Sequence, residues 1–183
     1  PTLLVANHPS LVDIMAILAH VEDADCIVNA ARAHDMIFAG AIRAANYIRN
    51  DNAGSVIRNA GKSLEAGRSV IIFPEGTRSP PGELGPFRRG AAHIALTSRC
   101  PITPIFITVD PPGLTKNRRW WHIPRQTMHM TLKVGPALPP VSPERQAGIR
   151  RAVAAGDLTD ELRVLFCREL ENERKSRAGP SGA

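Results

Sequence analysis

Two periods of apolar residues alternate along the chain. Short continuous runs at 3–6, 26–30 and 69–73 have the length and composition of buried strands, and Pro74 closes the last of them. Segments 10–21, 34–45 and 55–67 place apolar residues at helical spacing, with Gly67 positioned to stop the third. Residues 46–49 predict a short strand, 88–99 a helix, and 102–109 and 127–134 two later strands. The segment 111–124 has no period and predicts irregular structure. From 142 onward the pattern is helical, with a break at Gly156-Asp157, an amphipathic packing helix over 157–177 and a disordered tail over 178–183. This alternation predicts an α/β fold with a mostly parallel central sheet flanked by helices, and no internal repeat competes with it.

Composition narrows the class. With 183 residues, one domain over 1–177 is expected, and 43% hydrophobic against 22% charged residues describes a globular chain. The formal charge of +6, mostly arginine, favours anionic partners: nucleic acid, a phospholipid surface or a phosphorylated substrate. Aromatic residues make up only 4%, and no nucleic-acid motif is present, so no nucleic-acid partner is expected. Cys26, Cys100 and Cys167 are widely spaced and odd in number, which points to a reducing cytoplasm rather than a disulfide framework. No apolar run approaches the roughly 18 residues that cross a bilayer. The chain starts at Pro1 inside a strand, so an N-terminal part, with any membrane anchor, is expected to precede it.

Chemistry concentrates where two of the strands end. Asn7-His8-Pro9 follows the first, with Ser10 and Asp13 behind it. Ser10 and Asp13 make a capping-box-like S-x-x-D, enough to explain a helix start. Capping leaves His8 unexplained. A carboxylate folding back from Asp13 would fix the imidazole tautomer and leave the other nitrogen free to take a proton. No serine or cysteine nucleophile is needed if the substrate brings the hydroxyl. After the 69–73 strand, Glu75 and Arg78 flank Gly76 and Thr77 where unpaired charge is expensive. Gly76 permits close backbone approach, and Arg78 can fork onto phosphate.

These two stretches, N-H-x-x-x-x-D (Asn7, His8, Asp13) and F-P-E-G-T-R-S (Phe73 to Ser79), resemble the glycerolipid acyltransferase family, that of the 1-acylglycerol-3-phosphate acyltransferases. Phe87-Arg88-Arg89-Gly90-Ala91 is similar to the F-[KR]-x-G-A stretch that opens the family's next helix, and Pro101-Ile102-Thr103-Pro104 to its fourth block. The resemblance spans roughly residues 1–110. It implies that His8 is general base to an acceptor hydroxyl, oriented by Asp13. The hydroxyl would attack an acyl thioester on coenzyme A or acyl carrier protein, with no cofactor or metal. A thiol of pKa about 8.5 leaves without a strong general acid. Glu75, Gly76, Thr77 and Arg78 would bind the head group of a lysophospholipid such as 1-acylglycerol-3-phosphate. The amides around 9–11 are the expected donors to the oxyanion. The enzyme would work at the membrane surface, on the cytoplasmic side of the inner membrane, peripherally or through a preceding segment.

One block departs from the pattern. The family's second motif ends in a phosphate-binding arginine, commonly I-D-R-N, whereas this chain reads Tyr47-Ile48-Arg49-Asn50-Asp51. Aligned on Ile48, Asn50 takes the arginine's place and Arg49 comes one residue early. A one-residue slip on a strand turns a side chain to the other face. Arg49 and Asn50 are both candidate acceptor contacts, and a solvated strand-end charge explains Arg49 equally well. The departure resembles a branch that accompanies aryl-polyene assembly in Gram-negative bacteria, whose acceptor would be another lipid-like molecule. A non-catalytic lipid-binding relative is disfavoured because His8 and Asp13 are both retained. Lys116, Arg118, Arg119, Trp120 and Trp121 suit either a membrane–water interface or a surface loop whose tryptophans plug the core. His93, His122 and His129 lack metal-ligand spacing and are expected to be structural; His20 and His34 are expected at the surface or at helix ends.

Overall fold

The computed structural model describes residues 1–28, 47–50, 52–80, 82–115, 126–142 and 150–177. Among them the elements run β1 (Leu3–Ala6), α1 (Asp13–Leu18), β2 (Ala24–Val28), β3 (Tyr47–Arg49), α2 (Ala53–Glu65), β4 (Ser69–Ile72), α3 (Gly90–Ser98), β5 (Ile102–Asp110), β6 (His129–Val134) and α4 (Arg151–Arg177). The predicted helix over 34–45, the basic tryptophan segment 116–124, most of the approach to α4 and the tail 178–183 lie outside the described residues.

The strands form one sheet in the order β3-β2-β4-β1-β5-β6, parallel except for β6. This is the mostly parallel α/β sheet that the apolar runs predict. β1 and β4 pair Leu3 with Val70, Leu4 with Ile71 and Val5 with Ile72, and alternate residues face opposite layers. Leu3, Val5, Val70 and Ile72 join the layer packed under α2, α3 and α4. Leu4, Ala6, Ile71 and Phe73 join a smaller layer covered by Ile14, Ile17 and Leu18 of α1. Burial on both faces is why these runs read as continuous rather than alternating apolar sequence.

Chain direction decides which face each helix takes. From β1 the chain passes over β4 to reach β2; from β4 it passes over β1 to reach β5. Right-handed crossovers running in opposite directions lie on opposite faces, so α1 covers one layer while α2 and α3 cover the other. The connections after β1 and β4 therefore diverge, and a crevice opens at the carboxyl ends of these two neighbouring strands. His8 and the 73–79 loop follow those ends.

Helix boundaries move where local hydrogen bonds outrank periodicity. α1 begins at Asp13 rather than at residue 10, with Val12 at the N-cap and no side-chain cap bond; Ser10 lies ahead of it, its amide donating to the Asp13 carboxylate at 2.8 Å. α2 begins at Ala53, capped by Asn52, whose side chain accepts from the Ser55 amide at 2.8 Å. α3 begins at Gly90, two residues past the predicted start, since the Arg88 amide donates to the Pro74 carbonyl at 2.8 Å. The expected break at Gly156-Asp157 is absent, and α4 runs unbroken through it. Its buried residues Ala155, Leu158, Leu162, Phe166 and Leu170 make one stripe, with Phe166 edge-on to Phe87 and Phe106. Packing of that stripe overrides the low helix propensity of a single glycine. α4 also braces the edge strand, Lys133 pairing with Glu173 at 2.8 Å and Arg177 donating to Thr131 at 2.7 Å.

Gly156 has no positive φ, and a Cβ there would make only ordinary contact, 3.7 Å from the Arg89 guanidinium. Gly156→Ala is therefore expected to raise the unfolding free energy by about 0.5–1 kcal/mol in denaturant titration.

Candidate active site

The site is built on the end of β1. Asn7 is buried, and its amide continues the β1–β5 ladder by side chain: Nδ2 donates to the Ile107 carbonyl at 2.8 Å while Oδ1 accepts from the Ile107 amide at 2.7 Å. In residue order Asn7 is a motif letter without an evident task. Its task is to pair with β5 through its side chain, so that the backbone can leave the sheet one residue before His8.

The His8 backbone is gripped by the loop after β4. Its amide donates to Glu75 Oε1 at 3.0 Å, and its carbonyl accepts from the Ser79 amide at 2.8 Å. The ring lies against Phe73, centroids 4.4 Å apart and planes tilted by 30°. His8 Nδ1 is 2.8 Å from Asp13 Oδ2. That bond leaves Nε2 as the nitrogen available to a ligand. Asp13 is fully buried in the first turn of α1, where a negative charge suits the helix amides. Burial pushes its carboxyl above the usual range, opposed by the bonds from His8 and the Ser10 amide.

Glu75 sits differently from the expectation that it touches the acceptor. It is buried; besides holding the His8 amide, it accepts from the Ser79 hydroxyl at 2.6 Å and the Gly85 amide at 2.8 Å through Oε2. It binds the protein to itself. A Cβ at Gly85 would lie 2.6 Å from Glu75 Oε2, so only glycine admits that bond. The Ser10 amide is likewise committed to Asp13, which removes it from the expected oxyanion donors at 9–11.

A cavity of about 360 Å³ opens beside His8. Gly76, Thr77 and Arg78 line it, as do Phe73 and Pro74, and Ile14, Ile27, Val56 and Ile57 form an apolar wall. Arg78 also ties down the segment after β5, donating through Nη1 to the Leu114 carbonyl at 2.8 Å and the Thr115 carbonyl at 3.1 Å. Arg49 and Asn50 are both exposed, but Asn50 lines the cavity and Arg49 does not. The one-residue slip thus turns Arg49 away, as strand geometry requires. Arg88, Arg89 and His93 line the cavity as well, and among the described residues no Asp or Glu does. In residue order the two arginines are letters of the F-[KR]-x-G-A stretch, and His93 only lacks metal-ligand spacing. Their place became visible only when the start of α3 folded over the 73–79 loop. His129 and His20 are exposed as strand-start and helix-end residues. Among the described residues no three His, Cys, Asp or Glu side chains are placed to share a metal ion. Cys26 is buried mid-strand, its thiol pushed up to about 12 by burial and by Asp25, and is no candidate nucleophile.

Fold and site define an α/β protein with a histidine–aspartate pair at the crevice of its parallel sheet, facing a cavity rich in arginine. Residues 1–108 match the sequence model of the acyltransferase family, and the chain belongs to that family. It is 30% identical over 154 residues to mouse 1-acyl-sn-glycerol-3-phosphate acyltransferase alpha, covering 79% of this chain and 51% of that protein. It is 36% identical over 124 residues to 1-acyl-sn-glycerol-3-phosphate acyltransferase of Cocos nucifera, covering 63% of this chain and 40% of that one. Its fold superposes on the crystal structure of PlsC, the 1-acyl-sn-glycerophosphate (LPA) acyltransferase of Thermotoga maritima, with TM-score 0.69 and 25% identity. That match covers 94% of this chain and 66% of PlsC. The chain spans about half, or less, of the length of the mouse and coconut relatives.

Replacing Glu75 by Gln turns one acceptor oxygen into an amide that faces donors already in place. Glu75→Gln is expected to lower the unfolding free energy by about 1–3 kcal/mol, read by denaturant titration, because buried amide and hydroxyl donors lose their partner.

Proposed function

We propose that the protein is an O-acyltransferase that moves a fatty acyl group from acyl-CoA or acyl carrier protein to the hydroxyl of a lysophospholipid such as 1-acylglycerol-3-phosphate. The observation that carries this reading is the 2.8 Å His8–Asp13 pair beside a cavity that combines arginines with an apolar wall. A lysophospholipid has the same two parts. The names of the mouse, coconut and Thermotoga relatives point to the same acceptor class.

The chemistry follows from the pair. Asp13 holds the Nδ1 proton and stabilises the imidazolium, so Nε2 takes the proton from the acceptor hydroxyl as its oxygen attacks the thioester carbon. A C–O bond forms, and the carbonyl electrons move onto oxygen. On collapse the C–S bond breaks, and His8 returns its proton to the departing thiolate. The thioester is already activated, so the reading asks for no cofactor or metal. The acyl chain of the acceptor lies along Ile14, Ile27, Val56 and Ile57, burying apolar surface from water.

Work at the bilayer suits an amphipathic acceptor. Among the described residues no helix is long and apolar enough to cross a membrane. We place the enzyme on the cytoplasmic side of the inner membrane, held peripherally or through a segment preceding this chain. Asn50, standing where the family's arginine is expected, favours a second reading: another lipid-like acceptor, as in aryl-polyene assembly. Turnover of acyl-CoA and acyl carrier protein donors against a panel of lysolipids decides between them.

His8→Ala is expected to abolish transfer while the unfolding midpoint holds; full activity would overturn the mechanism. Asp13→Asn keeps an oxygen for His8 and Ser10 but removes the charge that stabilises the imidazolium. Its single-turnover rate is expected to fall about 10²–10⁴-fold. Its stability should follow the opposite course. Because burial raises the Asp13 carboxyl above its unfolded value, the ionised form weighs against the fold once pH exceeds the folded pKa. The Asn variant should therefore melt no lower than the parent at neutral pH and lose its relative advantage under acid conditions.

A further inference from the structure

We infer that Arg88 and Arg89, at the entry to α3, hold the acceptor's phosphate monoester in this chain, in place of an arginine at the end of β3. The inference rests on the acyltransferase reading above and assigns residues to its acceptor site. Asn50, which stands at the expected position, is neutral, and Arg49 is not among the residues that line the cavity. Arg88 and Arg89 both line the cavity. Among the described residues neither guanidinium has a hydrogen-bond or ion-pair partner, and no lining carboxylate offsets them.

Their placement is built into the fold. The Arg88 amide is pinned to the Pro74 carbonyl at 2.8 Å, and its side chain lies over Gly76. Gly76 has φ +68°, and a Cβ there would come within 3.1 Å of Arg88 Nε. The glycine of F-P-E-G-T-R-S thus makes room for Arg88 as well as for the turn. Arg89 lies beside Gly156 of α4 and occupies the N-cap of α3 without a side-chain cap bond. Gly90, the first residue of that helix, lines the same cavity, so amides of the first turn add to the field of the two guanidinia. Two planar forks and a helix start suit a dianionic phosphate better than a neutral or zwitterionic head group. Arg78 contributes charge, but its Nη1 is already engaged with the segment after β5. His8 lines the same cavity, so an acceptor whose phosphate is held here shares one chamber with the imidazole.

A phosphate monoester also occurs on coenzyme A, so the test separates the two sources. Calorimetric titration of the protein with glycerol 3-phosphate and, separately, with coenzyme A is made for the parent, Arg88→Gln, Arg89→Gln and Arg49→Gln. Both cavity variants are expected to weaken glycerol 3-phosphate about 10- to 100-fold, with coenzyme A affinity and the unfolding midpoint held and Arg49→Gln without effect. In turnover assays the same two variants should raise KM for 1-acylglycerol-3-phosphate by a similar factor. Unchanged glycerol 3-phosphate affinity in both variants, no binding by the parent, a loss in Arg49→Gln instead, or a loss confined to coenzyme A would each overturn the assignment. Arginine-dependent binding of glycerol 3-phosphate by a parent that acylates no lysolipid would uphold this site and refute the acyltransferase reading.

Discussion

The buried Glu75 carboxylate is the interaction on which the site's geometry depends. One oxygen holds the amide of His8, just past β1; the other holds Ser79 and Gly85, within the long loop after β4. These chain segments meet only because β1 and β4 are neighbours in the sheet. Removing a carboxylate from water is costly unless its oxygens are satisfied, and here each accepts at least one hydrogen bond. The result is a rigid collar around the backbone of His8. The imidazole then needs only Asp13 and Phe73 to fix its plane.

The collar can form because the sheet's connections diverge at that point. Chain leaving β1 turns toward β2 on one face, and chain leaving β4 turns toward β5 on the other. Among the described residues no helix closes the gap between them. The 73–79 loop and the start of α3 enter that gap, one supplying the collar and the other the cationic wall. Asn7 serves the same arrangement by extending the β1–β5 ladder through its side chain, so the backbone at His8 is free of the sheet yet still anchored.

Charge is distributed by function across this edge. The carboxylates near His8, Asp13 and Glu75, are buried, Glu75 with both oxygens and Asp13 with Oδ2 on protein donors, whereas the arginines stand at the cavity. A ligand entering the cavity therefore meets positive charge and apolar surface, and among the described residues no lining carboxylate repels an anion. In a partly desolvated crevice that field is stronger than the same charges spread over an open surface. The two carboxylates accordingly divide: Asp13 pairs with the His8 imidazole, and Glu75 clamps the backbone around it.

Much of this was legible in residue order. The apolar runs at 3–6 and 69–73 identified buried parallel strands, and His8, Asp13 and F-P-E-G-T-R-S identified the family and the pair at its centre. Such features depend on local period and fixed short spacing, which a linear chain carries by itself. The role of Glu75 did not follow from the sequence, since its partners His8 and Gly85 come from separate stretches brought together by strand order. Nor did the continuity of α4 through Gly156, where a buried stripe outweighs one weak residue. Whether Arg49 or Asn50 lines the cavity, and that Arg88 and Arg89 do, were decided by tertiary structure alone. Side-chain direction depends on the register of β3 against β2 and on the close approach of α3 to Gly76, and no one-dimensional pattern encodes either.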